Sequence, residues 1–451
     1  MEVGLHLSLP GEGNVLFSTE NRLKSKTVLE HILSIFAPVN REEATTAFLM
    51  MANVFILLTA YYIIKPLREA LILGGPGAAV KSYAGAGQAV LFWMMLPIYS
   101  AFASRVNRMW LINGVTAFFI SNLLAFYLLS RLGFQFGIVF FLWVGVFSLM
   151  TVAQFWALAS DIYTQEQGRR LFALVGIGGS LGSIFGSEVA ARLFKPLGQD
   201  SMMLIAAGLL AVCMIVTSWI HHRESDADAD PERAQMAAEA IDPSSGFHLV
   251  LQDRYLLLIA VLVLLANLVN TTGEFILGKT VAEQMKTPAA IGEFYAGFFF
   301  WVNLAGAALQ MFGVSRIMKY VGIGPALFFM PLIALCSYGV IAFVPILRFI
   351  RLTKIAENST EYSIQSTARH ALFLRTSRAA KYNAKAAIES FFWRAGDALS
   401  AVLVFIGTRL AFDTRSFAMM NATLVFAWLI VAVAIALFRK QQSHTESQKA
   451  A

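Results

Sequence analysis

The sequence predicts an all-α integral membrane protein with about twelve transmembrane helices in two six-helix halves. Three observations lead there. Of 451 residues, 57% are hydrophobic and only 14% charged, whereas soluble domains carry about one quarter charged residues. The apolar residues fall into about twelve stretches near the roughly 20 residues that a span needs. Those stretches are continuously apolar rather than alternating, so helices and not barrel strands must satisfy the backbone inside the bilayer.

In chain order the predicted spans are 44–73, 83–103, 109–130, 133–159, 171–191, 202–220, 255–278, 289–313, 320–343, 345–368, 386–408 and 416–438. Residues 1–43 precede them as a cytoplasmic segment. That segment has no basic-then-apolar signal pattern, and its KTVLEHILSIF stretch reads as a short amphipathic surface helix. The segment 221–254, with RESDADADPERAQ, is too polar to span and too poor in aromatics to form a core. It reads as a cytoplasmic linker between halves 44–220 and 255–438, and 439–451 forms a tail. The nearly equal halves suit a duplicated architecture.

Charge sets the orientation. The N-terminus, the loops after even-numbered spans and the C-terminus hold 21 of the Lys and Arg residues, the remaining loops 8 and the spans 6. Both termini are therefore predicted to face the cytoplasm of a cell (inner) membrane. The net charge of +7 reflects this bias and gives no reason to invoke a nucleic-acid partner. Cys213 and Cys336 lie in different apolar spans and offer neither metal spacing nor a disulfide framework. No metal or cofactor site is predicted.

Charged residues inside spans are the functional signal. Span 1 carries Lys65 roughly 9 Å beyond its midpoint at 1.5 Å per residue. Tyr61, Lys65 and Arg68 share one face, flanked by Glu69, and Pro66 removes a hydrogen bond in the same turn. Snorkelling is the bland alternative, but more apolar residues follow Arg68 and Glu69. Span 10 is barely hydrophobic, and Arg351, Lys354, Asn358, Glu361, Tyr362, Gln365 and Arg369 fall on one face. A surface helix that never crosses is the competing reading; it would strand Arg348 to Lys385 on the outside against the charge bias. Span 11 places Glu389, Trp393 and Asp397 on one row, with Arg394 able to pair with Asp397. Span 7 adds Asn267, Asn270 and Glu274. Six span cations facing lipid would cost on the order of 15–20 kcal/mol. They must face one another or water, which predicts a polar cavity between helices or a sealed ion-pair network.

Span 5 carries the opposite signal. Gly178, Gly182 and Gly186 form one row and Gly179, Ser183 and Ser187 the next, a doubled small-residue face for close helix packing. It follows no strand and lacks a Lys-Ser/Thr ending, so it is no phosphate loop.

Four stretches, YYIIKPLREALIL, FWALASDIYTQEQGRRLFALVGIGGSLGSI, NLVNTTGEFILGK and ARHALFLRTSRAAKYNAKAAIESFFWRAGDALS, resemble the bacterial and plastid ATP/ADP (nucleotide) transporter family, a branch of the major facilitator superfamily. The resemblance covers roughly residues 40 to 440. It implies a twelve-span major-facilitator-like fold and exchange of ATP for ADP, or carriage of other nucleotides, without hydrolysis. Lys65 resembles the family's span 1 lysine, and Asp161 stands where the family has a glutamate after span 4. Two positions depart: Asn270 stands where the ATP/ADP exchangers have a glutamate and Asp397 where they have a lysine, which makes the site less positive at Asp397, offset in part at Asn270, and leaves room for another nucleotide or a less charged phosphorylated metabolite.

The sequence thus predicts alternating access around a substrate site of Tyr61, Lys65, Arg68, Asn270, Arg351, Lys354, Asn358 and Arg394, with Asp161, Glu274, Glu389 and Asp397 as gating or coupling partners. The expected partner is a small anionic molecule of the ATP/ADP or phosphorylated type. The chain has no Walker sequence, so exchange or an ion gradient must supply the energy. Two other readings compete: a proton-coupled carrier using Asp397, Glu274 or Glu389, and a non-transporting membrane sensor or scaffold.

Overall fold

The computed structural model describes residues 38–40, 43–103, 106, 108–224, 243–376 and 383–450, and among them it is helical without strands. The amphipathic stretch 26–36 and most of the expected linker lie outside the described residues. The membrane helices are α1 (Ala44–Gly74), α2 (Ala78–Ala103), α3 (Arg108–Arg131) and α4 (Gly137–Ile162), then α5 and α6, which share one run, Gln165–Glu224. That run breaks where Pro196 precedes Gly198, whose φ of 74° reverses the chain. A short helix, Pro243–Gln252, leads to α7 (Arg254–Gln284), α8 (Pro288–Ala308), α9 (Phe329–Phe343), α10 (Leu347–Thr360), α11 (Trp393–Arg409) and α12 (Thr414–Ala450). Three of these extend through π-helical turns: α8 through Leu309–Val314, α10 through Glu361–Gln365 and on into Ser366–Leu372, and α11 from Ile388–Phe392.

Among the described residues, nine helical stretches are long and apolar enough to cross a membrane, and one of them, Arg170–Arg223, has the length of two spans. The others are α2 and α10, the latter too polar to qualify on hydropathy, which brings the spans to the expected twelve. We call the side where α1 begins the near side and the opposite one the far side.

Two ends differ instructively from the expected boundaries. α2 starts at Ala78 rather than 83 because Gly77, at φ 94°, turns the chain tightly and receives the Lys81 amide at 3.1 Å. Lys81 is thereby helical. α7 continues to Gln284, started by Asp253, whose carboxylate accepts the amides of Tyr255 and Leu256 at 2.7 and 3.3 Å.

Two hydrophobic cores form, one largely from α1 and α3–α6, the other largely from α7–α12. The glycine rows of α5 pack on α1: a Cβ on Gly178 or Gly186 would stand 2.5 Å from the Met51 or Thr59 carbonyl oxygen, and one on Gly182 would strike the carbonyl of Phe55. Close backbone approach therefore requires glycine there. The two halves of the chain meet through α5 and α8, where Asn303 Nδ2 donates to Ser187 Oγ and the Ser183 carbonyl at 3.2 Å each, and through α2 and α11, where Tyr83 and Phe405 rings lie 6.4 Å apart. Far-side closure comes from Gly74 against Pro288 and Gly292 against the Phe194 ring.

Candidate functional site

A cavity of about 370 Å³ lies between the two cores, at the small end of the range for ligand sites. α1 contributes Tyr61, Lys65, Arg68 and Glu69; α2 Lys81, Gln88 and Phe92; α4 Phe141, Gly145 and Ser148. From the other side come Asn267, Asn270, Thr271 and Glu274 of α7, Phe299 of α8, Asn358, Glu361 and Tyr362 of α10, and Trp393, Arg394 and Asp397 of α11.

The charges sort into three constellations. On the α1–α2 wall Glu69, 1% exposed, binds Arg68 at 2.5 and 3.0 Å and lies 2.6 Å from Lys81 Nζ. One carboxylate thus holds two cations, and the group keeps one net positive charge. Arg68 also stacks 4.9 Å from the Phe141 ring. On α7 and α11, Asp397 accepts hydrogen bonds from Asn267 (2.8 Å), Thr271 (2.9 Å) and Arg394 (3.1 Å). This acid is fully occupied, and Arg394 reaches across to the Phe92 ring at 4.5 Å. Behind the cavity wall Lys354, fully buried, binds Glu357 at 2.8 Å and Asn270 Oδ1 at 2.9 Å, with Glu274 3.9 Å away. Tyr338 donates to the same Glu357 oxygen at 3.0 Å.

Lys65 differs from all of these. It is 9% exposed, and among the described residues no carboxylate lies within ion-pair distance of it. Three aromatic rings hold its ammonium instead: Phe299 at 4.2 Å, Tyr62 at 5.1 Å and Tyr362 at 5.9 Å. An unpaired buried cation facing a cavity is a ready anion ligand.

Tyr61, Lys65, Arg68, Asn270, Glu274, Asn358, Arg394 and Asp397 are thus brought together around one cavity. Arg351 and Lys354 do not line it. Arg351 turns toward α8 and sits 5.1 Å from the Phe294 ring, while Lys354 is consumed by Glu357. The polar face of α10 is wider than a cavity wall, and its far-side turn serves packing within the second core. Asp161 lies exposed at the near end of α4, and Glu389 pairs with His370 at 3.2 Å near the start of α11; neither lines the cavity. Sequence reasoning missed Lys81, because the apolar run begins at 83 whereas Gly77 starts α2 at Ala78, and Glu357, the partner of Lys354 at i+3. It also missed Gln88, whose side chain fits only because Gly145 has no Cβ. The i, i+3 spacing was the one available signal, and it pointed to Glu357.

The chain matches the family model described as Major Facilitator Superfamily over residues 44–355. It is 19% identical to "ADP,ATP carrier protein 1" of Chlamydia trachomatis over 64% of each chain, so it spans less than two thirds of that relative. It is 20% identical to "ADP,ATP carrier protein 1" of Chlamydia pneumoniae, over 93% of this chain and 96% of the relative. Among solved structures, a point mutant of the nucleoside transporter NupG superposes with a TM-score of 0.65 at 12% identity, covering 86% of this chain and 98% of that one; that likeness shows the fold alone.

Proposed function

The chain belongs to the Major Facilitator Superfamily, and from that premise we propose that this membrane transporter carries a nucleotide or another phosphorylated organic anion of low charge by alternating access around the central cavity. The observation that carries the reading is Lys65, a cation with no carboxylate partner among the described residues, inside a cavity between the two cores. The anionic group binds Lys65, with Arg68 of the first core and Arg394 of the second able to share it from opposite sides. Tyr61, Phe92, Phe299 and Trp393 line the same cavity and suit a planar base. The relatives named as ADP,ATP carriers support the nucleotide class.

The charge balance supports a modest anion. Four cations (Lys65, Arg68, Lys81 and Arg394) face four carboxylates (Glu69, Glu274, Glu361 and Asp397) on the cavity wall, so a polyanion as charged as ATP meets no comparable positive field. Rocking of one core against the other about the α2–α11 and α5–α8 contacts would open the site alternately to each side. The near side is the cytoplasmic one on the positive-inside bias.

The test is uptake of labelled nucleotides, from mono- to triphosphates, into proteoliposomes preloaded with ADP. Exchange is expected to favour the less charged members. Absence of exchange across the whole panel would sink the substrate class while leaving the fold intact.

A further inference from the structure

Among the described residues Glu361 is the one acid of the cavity wall without an ion pair. It opens the π-helical turn in the middle of α10, is 8% exposed, lines the cavity, and buries its Oε2 without a hydrogen-bond partner. The three acids that the sequence nominated for proton coupling are all engaged: Asp397 by three donors, Glu274 by Asn358 at 2.9 Å, and Glu389 by His370.

The charged and titratable groups around Glu361 are committed elsewhere. On its own helix, Lys354 belongs to Glu357, and Arg369 stacks 4.8 Å over the Trp393 ring. From α7 comes Glu274, from α9 Tyr338, bonded to Glu357, and from α11 the Arg394–Asp397 pair. The neighbouring turn of α8, Leu309–Val314, brings no titratable side chain. Across the cavity, α1 presents Lys65, held by three rings that include Tyr362, the residue next to Glu361. A buried carboxylate left so is costly as an anion.

Buried polar side chains follow it at helical spacing toward the near side. Four residues on, Gln365 is 2% exposed with neither amide atom partnered; four further, the Nε of Arg369 is also unpartnered. This i, i+4, i+8 row covers about 12 Å of helix and ends beside the half-open His370–Glu389 pair.

We propose that Glu361 is the proton-binding carboxyl of the carrier, filled from the near side along the Gln365–Arg369 row, so that anion and proton bind together. The proton adds to a carboxylate oxygen of Glu361 and leaves from it on release. Once Glu361 is neutral, the cavity wall carries four cations against three carboxylates, which favours an anion beside Lys65. The coupling rests on the anion reading above; the proton site itself does not.

Infrared pH-difference spectroscopy of the full chain in liposomes tests the site without any substrate. A protonated-carboxyl band that responds to the pH of the medium is expected in the wild type and should vanish in Glu361→Gln. Gln365→Leu should retain the band but slow its appearance, and thermal melts check that both variants fold. Coinciding wild-type and Glu361→Gln spectra would overturn the proton site even if nucleotides are transported. With one proton per anion, an imposed gradient of about one pH unit supports up to about tenfold accumulation of labelled ADP, and Glu361→Gln should abolish that dependence. Undiminished accumulation in the variant would overturn the coupling. Failure of every nucleotide with the band present would overturn the substrate class instead.

Discussion

Replacing Lys65 by methionine separates binding from folding. Methionine keeps the length of the stem and removes the charge. The variant loses a cation–π contact worth about 0.5–2 kcal/mol, but it also relieves the desolvation of an unpaired ammonium, a penalty of several kcal/mol. No carboxylate is orphaned, so Lys65→Met should melt at or above the wild-type temperature. Transport should suffer heavily. An anionic oxygen about 4 Å from Nζ gains about 4 kcal/mol at an effective dielectric constant near 20, equivalent to at most about a thousandfold in affinity. With Arg68 and Arg394 still facing the cavity, a loss of about 30-fold or more is expected. Lys354→Met is the counter-experiment, because it leaves Glu357, fully buried, without its cation; the expected destabilisation is about 3–5 kcal/mol. Adding Glu357→Leu should recover most of that stability. Initial uptake rates at matched protein density and thermal melts of the purified variants read both quantities. Wild-type uptake by Lys65→Met, or a melt as early as that of Lys354→Met, would refute the distinction between an unpaired ligand lysine and a structural one.

Two further predictions concern assembly. Gly182→Leu should prevent α1 and α5 from docking, since even a Cβ there meets the Phe55 backbone; the expected result is loss of the monodisperse peak in size-exclusion chromatography, and a stable, active variant would remove the packing reading. At the near end of α1, outside the span, Glu43 is subject to burial, which raises its carboxyl pKa, but hydrogen bonds from Gln167 (2.9 Å), Arg170 (3.1 Å) and the Asn40 amide outweigh it and hold the value below the ordinary 4.5. Its contribution is therefore complete above the unfolded value and is lost as pH falls through the lower folded one. Wild-type melting should drop on acidification from about pH 5 to about pH 3 by more than that of Glu43→Gln, and parallel curves would show that this clasp contributes nothing.

How much of this was legible beforehand differs between residues. The continuous apolar runs sufficed for every helix but the polar α10, which needed the charge bias of the loops, because inside a bilayer a backbone of such composition has no alternative to intrasegment hydrogen bonds. The glycine row of α5 likewise announced a close contact, since small residues every fourth position leave room for nothing but another backbone. Lys65, Arg68, Arg394 and Asp397 could be nominated as residues too costly to face lipid. Periodicity gives the angle of a side chain about its own helix axis and says nothing of what stands opposite. Only tertiary structure decided that Glu69 claims Lys81 as well as Arg68, that Lys354 is held behind the cavity wall, that Arg351 turns away to Phe294, and that, among the described residues, Lys65 and Glu361 are left without an ion pair on the cavity wall. Several buried charges find a partner within a turn of their own helix, as Lys354 does in Glu357, but the groups that stand opposite, such as Phe299 and Tyr362 around Lys65, come from distant helices, and the free energy of a charge in a membrane depends on those surroundings as well as on the residue itself.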